Sequence, residues 1–236
     1  MSAKRVAIIG DGKMGRSVAQ VAEANGWTIV AHLGIVDNPG GRGITRTSLA
    51  GASVAIEFTE ARSVLANVDA CLAARCPVVV GTTGWYDHLP AVTASVERAG
   101  GSLFWAANFS LGANIMMALA REAGRLVREL PLFDAQIVET HHTMKQDAPS
   151  GTAVVVNQAF AEGRGEPARI ASLRVGSVPG THELILDGIY EQLRIVHEAR
   201  DRRIFAEGAL AAAAWLGGRH GIFTMRDMLA PKPESR

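Results

Sequence analysis

The sequence predicts an α/β protein in which a doubly wound parallel sheet is followed by a second, sheet-forming domain. Three observations carry this prediction. In the first two-fifths of the chain, short apolar runs alternate with helical stretches, a pattern typical of strands buried on both faces. A glycine-rich turn at residues 10–15 joins the first strand to the first helix. After residue 109 the strand-like segments alternate polar and apolar side chains, as in a sheet with one exposed face.

The first part of the chain contains five predicted strands, of which the first is a short continuous apolar run. They cover residues 6–9, 28–33, 54–58, 78–80 and 103–106. Helices are predicted at residues 17–24 and 61–75, the first of them ended by an Asn-Gly pair. Residues 34–53 are rich in glycine and arginine without a helical period, and we interpret them as a loop that replaces a helix.

The second part begins with an amphipathic helix predicted over residues 114–128. Its predicted core-facing side chains are Ile115, Leu119, Leu126 and Val127, and its solvent-facing ones are Arg121, Glu122, Arg125 and Arg128. Alternating strands follow at residues 134–140, 170–175, 183–187 and 192–198. A helix is predicted to start at Ser150, and a last helix at residues 205–216 could pack on either domain.

Composition excludes several functional classes. The 236 residues include 24 Lys and Arg against 23 Asp and Glu, a formal net charge of +1, so neither nucleic acid nor an anionic membrane is an expected partner. Two cysteines, Cys71 and Cys76, are too few for a disulfide framework. The apolar run near the N-terminus is shorter than the apolar region of a secretory signal peptide. No stretch approaches the roughly 18 apolar residues of a membrane span. We therefore expect a cytoplasmic protein.

The turn at residues 10–15 has the form G-x-G-x-x-G between a strand and a helix, which is the context of a dinucleotide-binding turn. Such glycines let the backbone approach a pyrophosphate at the helix N-terminus. A carboxylate normally follows the second strand and binds the ribose hydroxyls, but here Gly34 stands after the strand and the first acid is Asp37. Arg42 and Arg46 are either partners for a 2′-phosphate or solvated loop charges, so NADH and NADPH both stay open.

Two further segments follow predicted strands at the edge where a doubly wound sheet binds its ligand. Residues 81–84 read Gly-Thr-Thr-Gly after the fourth strand, and residues 108–110 read Asn-Phe-Ser after the fifth. Backbone polar groups and two hydroxyls at the first segment could contact a cofactor. The alternatives are an ordinary strand-to-helix turn for the first segment and an interdomain hinge for the second.

Residues 139–153, with the sequence ETHHTMKQDAPSGTA, concentrate groups suited to chemistry. His141 and His142 point to opposite faces of an extended chain, and no cysteine lies nearby, so no metal site is expected. The start of the following helix instead predicts a carboxylate or phosphate site, with a positive charge from Lys145 and a proton donor from a histidine. Its N-terminal residues are Ser150, Gly151 and Thr152. The alternative is an N-capped helix with surface histidines.

With this segment the chain resembles the dihydrodipicolinate reductase (4-hydroxy-tetrahydrodipicolinate reductase) family of lysine and diaminopimelate biosynthesis. The signature E-x-H-H-x-x-K-x-D-A-P-S-G-T-A is matched without a gap at residues 139–153. Supporting matches lie at residues 10–15, 81–84, 107–110, 173–176, 179–182, 197–199 and 202–209.

The resemblance implies a Rossmann-like dinucleotide-binding domain of residues 1–109 and 203–236, and an α+β mixed-sheet domain of residues 110–202 that binds substrate and builds a homotetramer. It implies a hydride transfer from NADH or NADPH to a cyclic dicarboxylate. By their matches, His141 is the general acid and Lys145 a proton-donating lysine, and Arg202 lies near the cofactor. The implied substrate ligands are His142, Lys145, Ser150, Gly151 and Thr152. The implied cofactor contacts are Gly10, Asp11, Gly12, Lys13, Met14, Gly15, Gly81, Thr82, Thr83, Ala106, Ala107, Asn108 and Phe109.

The chain departs from the family pattern at the cofactor end. Its outer glycines, Gly10 and Gly15, are one residue closer together than usual, Gly34 replaces the usual acid, and the connection to the third strand is short. The division of roles between His141 and Lys145 stays open. So do two other functional classes: a different two-domain nicotinamide oxidoreductase, such as an amino-acid dehydrogenase, and a dinucleotide sensor without catalysis.

Overall fold

The computed structural model describes residues 4–230, which divide into two compact units. The first unit contains the described residues up to Phe109 together with those from Arg203 onward, and the second is Ser110–Arg202. Within residues 4–230, no helix combines the length and the apolar character needed to cross a membrane.

Strands and helices alternate along most of the described chain. The strands are β1 (Arg5–Ile9), β2 (Thr28–Leu33), β3 (Val54–Glu57), β4 (Val78–Val80), β5 (Ser102–Trp105), β6 (Asp134–His141), β7 (Arg169–Arg174), β8 (Thr181–Asp187), β9 (Gln192–Glu198) and β10 (Gly221–Phe223). The helices are α1 (Lys13–Ala24), α2 (Val64–Ala73), α3 (Leu89–Ala99), α4 (Leu111–Val127), α5 (Gly151–Arg164), α6 (Arg203–Leu216) and α7 (Met225–Leu229).

The first unit is built on a parallel sheet of six strands in the order β10-β5-β4-β3-β1-β2. Every residue of β3 and β4 is buried, as expected for central strands of a doubly wound sheet. Helix α6 packs on α1 and on strands β3 to β5, so the last predicted helix belongs to this unit. The carboxyl ends of β1, β2 and β3 lie side by side, and the glycine-rich turn follows the first of them.

The second unit contains a mixed sheet in the order β7-β6-β8-β9. Strand β6 pairs parallel with β7 and antiparallel with β8, which pairs antiparallel with β9. Helices α4 and α5 pack closely on each other, and Ile137 and Leu184 from the sheet belong to the same buried cluster. The hydroxyls of Ser110 and Ser150 cap the two helices, each accepting a hydrogen bond of 3.2 Å from a backbone N–H three residues on.

These elements confirm the predicted fold class and correct several details. Helix α1 begins at Lys13 and not at residue 17. Helix α3, strand β10 and helix α7 were not predicted.

The predicted core face of α4 is wrong for three of its four residues. Ile115, Leu119 and Leu126 are 46%, 48% and 57% exposed, and only Val127 is buried. The buried face consists mainly of small residues, namely Ala113, Ala120, Ala123 and Gly124, together with Met116. Small side chains face the interior because α5 approaches α4 too closely for leucine and isoleucine.

Replacing Gly163 by alanine is expected to lower the free energy of unfolding by about 1–3 kcal/mol. A Cβ at Gly163 would lie 2.0 Å from the carbonyl oxygen of Arg121, so α4 and α5 must move apart. Urea denaturation measures the change. Gly217→Ala is the matched control, because its Cβ would lie 3.4 Å from the nearest atom, in ordinary contact. Equal denaturation midpoints for the two variants would contradict the close packing.

Candidate functional site

The glycine-rich turn of the first unit is shaped by backbone contacts that only glycine allows. Gly10 has a φ of +114°, and a Cβ there would lie 2.0 Å from the carbonyl oxygen of Phe58. A Cβ at Gly15 would lie 1.8 Å from the carbonyl oxygen of Gly10. Gly12, in contrast, has no atom within 4 Å of its Cβ position and caps α1 without a side-chain hydrogen bond. This open helix N-terminus fits the pyrophosphate of a dinucleotide.

A cavity of about 240 Å³ lies beside this turn, at the carboxyl ends of β1, β2 and β3. It is lined by Gly10, Asp11, Gly12, Leu33, Gly34, Ile35, Asn38, Phe58, Thr59, Glu60, Arg62, Ser63 and Asn67. This is where a parallel sheet of this type holds a nucleotide. Arg42 and Arg46, the sequence candidates for a 2′-phosphate, are not among the lining residues, and the Nε of Arg42 donates to the carbonyl of Pro39.

A buried polar network supports the floor of the cavity, and sequence reasoning missed it. Glu57 is fully buried and accepts hydrogen bonds from the Thr59 hydroxyl and, at 3.2 Å, from the Asn67 amide. Burial raises the pKa of Glu57. Asn67 in turn accepts at 2.9 Å from the amide of Asn38, which accepts from the N–H of Gly43. The chain of amides therefore fixes the loop after β2 against α2.

The other predicted cofactor segments lie in the same unit but do not line this cavity. Thr82 is buried, its hydroxyl accepts at 2.7 Å from the Thr59 N–H, and Gly81 makes room for the Phe58 ring. Thr83 is exposed. Of residues 106–109, Ala106 and Phe109 are buried, with Phe109 against the rings of Phe58 and Phe104, and Ala107 is exposed. Their contact with a cofactor stays a prediction.

The second unit places Glu139 and His141 side by side. They lie two residues apart on β6 and so share one face of the sheet, where both are buried. The Glu139 carboxylate accepts from His141 Nδ1 through one oxygen, and from Arg174 at 2.8 Å and the Ser150 N–H at 3.3 Å through the other. Burial raises the pKa of Glu139, but hydrogen bonds from the side chains of Arg174, Ser172 and His141 outweigh it and lower the pKa to about 2. Burial lowers the pKa of His141, and the Glu139 carboxylate opposes this.

Lys145 and Asp147 form an ion pair in the segment between β6 and α5. The Lys145 ammonium donates to both carboxylate oxygens of Asp147, at 2.7 and 2.9 Å. Lys145 lowers the pKa of Asp147, with a smaller contribution from the Gly151 N–H. Arg174 holds this segment by donating to the carbonyls of Lys145 and Asp147, at 3.3 and 2.5 Å. An acidic side chain of the protein thus lies where the sequence predicts an anion site.

His142, Gly151 and Thr152 complete the predicted substrate set. His142 is half-buried directly after β6, Gly151 is exposed and Thr152 is half-buried in the first turn of α5. Arg202 is exposed. Over residues 4–230, no group of three or more His, Cys, Asp and Glu side chains is arranged to hold a metal ion.

Three histidines lie in a row on the inner face of the second sheet. The rings of His141 and His182 meet edge to face, with their centroids 5.1 Å apart. The rings of His182 and His197 are stacked, with their centroids 6.2 Å apart. Ser150 Oγ accepts from its helix and lies 3.1 Å from His182 Nε2, so its proton is available to that nitrogen. Sequence reasoning quoted His182 and His197 only as family matches. His182 and His197 lie opposite each other because of the register in which β8 pairs with β9, and the sequence alone does not reveal that register.

The free energy of unfolding is expected to rise with pH because of His182. Burial and the neighbouring histidines lower the pKa of His182 from 6.5 to about 4. Between these values the unfolded chain binds more protons, so stability is lost as pH falls through this window and is constant above it. The expected difference between pH values of about 5 and 7 is roughly 2 kcal/mol.

Urea denaturation at the two pH values measures this difference. His182→Gln keeps an acceptor for the Ser150 hydroxyl but cannot be protonated, and should flatten much of the slope. An unchanged slope in this variant would assign the pH dependence to other groups.

Comparisons with known proteins cover both units. Family models described as dihydrodipicolinate reductase, N-terminus, and dihydrodipicolinate reductase, C-terminus, match residues 4–109 and 112–229. Curated proteins named 4-hydroxy-tetrahydrodipicolinate reductase include one from Gluconobacter oxydans, 39% identical over 97% of this chain and 98% of the relative. One from Acidiphilium cryptum is 38% identical over 95% and 97%. The solved dipicolinate-bound dihydrodipicolinate reductase from Paenisporosarcina sp. TG-14 has the same fold, with a TM-score of 0.78 at 24% identity over 97% and 100% of the two chains.

Proposed function

The chain belongs to the dihydrodipicolinate reductase family, and from this premise we propose that it reduces 4-hydroxy-tetrahydrodipicolinate to tetrahydrodipicolinate. NADH or NADPH supplies a hydride, a proton is added, and the 4-hydroxyl of the substrate leaves as water. The reaction is a step in the synthesis of diaminopimelate and lysine. The first unit holds the dinucleotide and the second holds the cyclic dicarboxylate. The observation that carries the proposal is the Glu139–His141 pair beside Lys145 and the N-terminus of α5, which unites a proton donor with an anion site.

The first unit binds the cofactor through the glycine-rich turn. Backbone N–H groups of residues 12–15 hold the pyrophosphate at the start of α1, where the helix dipole favours negative charge. The cavity lined by Asp11, Gly34 and Asn38 takes the adenosine end. A dinucleotide held by these residues would supply the hydride for the reduction. The segments at residues 81–83 and 106–109 are predicted to contact the rest of the cofactor.

His141 supplies the proton that the reduction requires. Its Nδ1–H is held by the ionised Glu139, so Nε2 is the nitrogen that carries the transferable proton. A Cβ at residue 180 would lie 2.9 Å from this Nε2, and Gly180 therefore keeps space free at the reactive edge of the ring. Glu139 also stabilises the imidazolium before the proton leaves.

Lys145 and the first turn of α5 bind the substrate carboxylates. Asp147 pairs with Lys145 and the Gly151 N–H in this structure. A substrate carboxylate has the same charge and shape, so it replaces Asp147 on these donors when it binds. His142 and Thr152, both half-buried, are the residues proposed to orient the ring. Ser150 is buried and supports the site from within, because its hydroxyl is directed at His182 and its N–H at Glu139.

The proposed enzyme is a cytoplasmic homotetramer assembled through the second unit. Leu173 and Val196, on the sheet face away from α4 and α5, are 52% and 54% exposed, and such apolar surface favours association. Cys71 and Cys76 are free and buried, which suits a reducing compartment. Light scattering should give a mass four times that of one chain.

A coupled assay tests the function. The synthase of this pathway generates the substrate from pyruvate and aspartate semialdehyde, and oxidation of NADH and NADPH is followed in parallel. Turnover that requires both the synthase and this protein supports the proposal. Turnover with other amino or hydroxy acids instead would favour another dehydrogenase. Dinucleotide binding by folded protein without turnover would favour a sensor.

A further inference from the structure

We propose that Asp11, in the glycine-rich turn, is the residue that selects NADH over NADPH. The proposal rests on the reductase function above and concerns the cavity of the first unit. Dinucleotide-binding sheets usually carry a carboxylate after the second strand that binds the ribose hydroxyls. Here Gly34 occupies that place. The carboxylate is instead supplied by Asp11, in the turn that follows the neighbouring strand β1.

The side chain of Asp11 fills the space that a side chain at residue 34 would take. A Cβ at Gly34 would lie 2.7 Å from Asp11 Oδ2, 2.9 Å from its Cγ and 3.3 Å from its Cβ. Asp11 and Gly34 both line the cavity at the ends of β1 and β2. The absence of a side chain at residue 34 therefore leaves the space that the Asp11 carboxylate occupies.

The Asp11 carboxylate forms no ion pair with the described residues, so a ligand can approach it. The nearby Arg16 donates its Nε to the backbone carbonyl of Asp11, at 2.8 Å, and not to the carboxylate. A carboxylate accepts hydrogen bonds from a pair of ribose hydroxyls and repels a 2′-phosphate at the same position.

The other charges around the cavity act in the same direction. Arg62 lines the cavity, but its Nε lies 2.7 Å from the carboxylate of Glu60, so its charge is already paired. Asp37 adds a further acid, whose Oδ2 accepts from the Gly34 N–H at 3.2 Å. Arg42 does not line the cavity. The end of β2 is therefore acidic and unfavourable for a 2′-phosphate.

Equilibrium binding of the two cofactors tests the proposal without relying on catalysis. The dissociation constants of NADH and NADPH are measured by nicotinamide fluorescence. The wild-type protein should bind NADH about tenfold or more tightly than NADPH, as one unit-charge repulsion of about 1.4 kcal/mol provides. Asp11→Ser should move the ratio of the two constants toward NADPH by about tenfold. Glu97→Gln, which removes an exposed carboxylate from α3, is the matched control and should keep the wild-type ratio.

A double variant separates charge placement from general damage to the turn. Asp11→Ser leaves space at Gly34, so Asp11→Ser with Gly34→Asp returns the carboxylate to the end of β2 and should restore the preference for NADH. A wild-type ratio within twofold of one, or an Asp11→Ser ratio equal to wild type, would overturn the proposal. The proposal would also be overturned if folded Asp11→Ser protein lost affinity for NADH and NADPH by the same factor.

The outcomes also separate this proposal from the reductase function. If the ratio shifts as expected and the coupled assay shows no turnover, Asp11 is the selector in a protein with another function. If turnover is found with equal kcat/KM for both cofactors, the reductase function stands and the role of Asp11 does not.

Discussion

Replacing His141 by glutamine is expected to lower kcat by about 10²–10⁴-fold, the usual effect of losing a general acid. The glutamine amide can still donate to Glu139, so the buried carboxylate keeps a partner and the fold is retained. Because the loss concerns proton transfer and not binding, KM should change little. Steady-state kinetics at saturating cofactor measures both constants.

The pH profile distinguishes proton donation from a structural role. Burial lowers the pKa of His141 below its usual 6.5, and the acid must be protonated to act. The kcat/KM of the wild type should therefore fall as pH rises through the pKa of His141 in the free enzyme. His141→Gln should lack this descending limb. His88→Gln, an exposed histidine of the first unit, serves as the control. A near-normal kcat or an unchanged profile in His141→Gln would remove His141 from the role of acid.

The parallel sheet could be predicted closely because its signals are local. Strands β2 and β4 match their predicted bounds. Strand β4 is a continuous apolar run, and β2 is a mostly apolar segment that follows an Asn-Gly turn. The start of α5 at Ser150 was also predictable, because a serine cap acts on the N–H three residues away. The segment at residues 139–153 is recognisable from the sequence for the same reason, because its chemically active side chains are contiguous in the chain.

The missed features depend on which elements approach each other. The exposure of Ile115 and Leu119 follows from the close contact of α4 with α5, and amphipathic period alone does not report this distance. His182 reaches His141 only through the pairing of β6 with β8. The contact between Asp11 and Gly34 joins the ends of two strands. Such pairs are separated in sequence and are decided by tertiary packing.

Replacing Lys145 by alanine is expected to lower kcat/KM by about 10²-fold, because charge-assisted hydrogen bonds to a carboxylate contribute roughly 1.5–3 kcal/mol. Two effects add in this variant. The substrate loses the ammonium that binds its carboxylate, and Asp147 remains beside the site with its charge uncompensated. The second effect repels the substrate.

The double variant Lys145→Ala with Asp147→Asn therefore should be more active than Lys145→Ala alone. Asp147→Asn by itself removes the carboxylate that competes with the substrate. This variant should lower KM, because the Lys145 ammonium no longer has Asp147 as an ionic partner. A double-mutant cycle on kcat/KM measures the coupling between the two side chains. Independent, multiplicative losses in the double variant would show that Asp147 does not occupy the carboxylate site. A recovery would show that the ion pair seen in the structure is the arrangement that the substrate displaces.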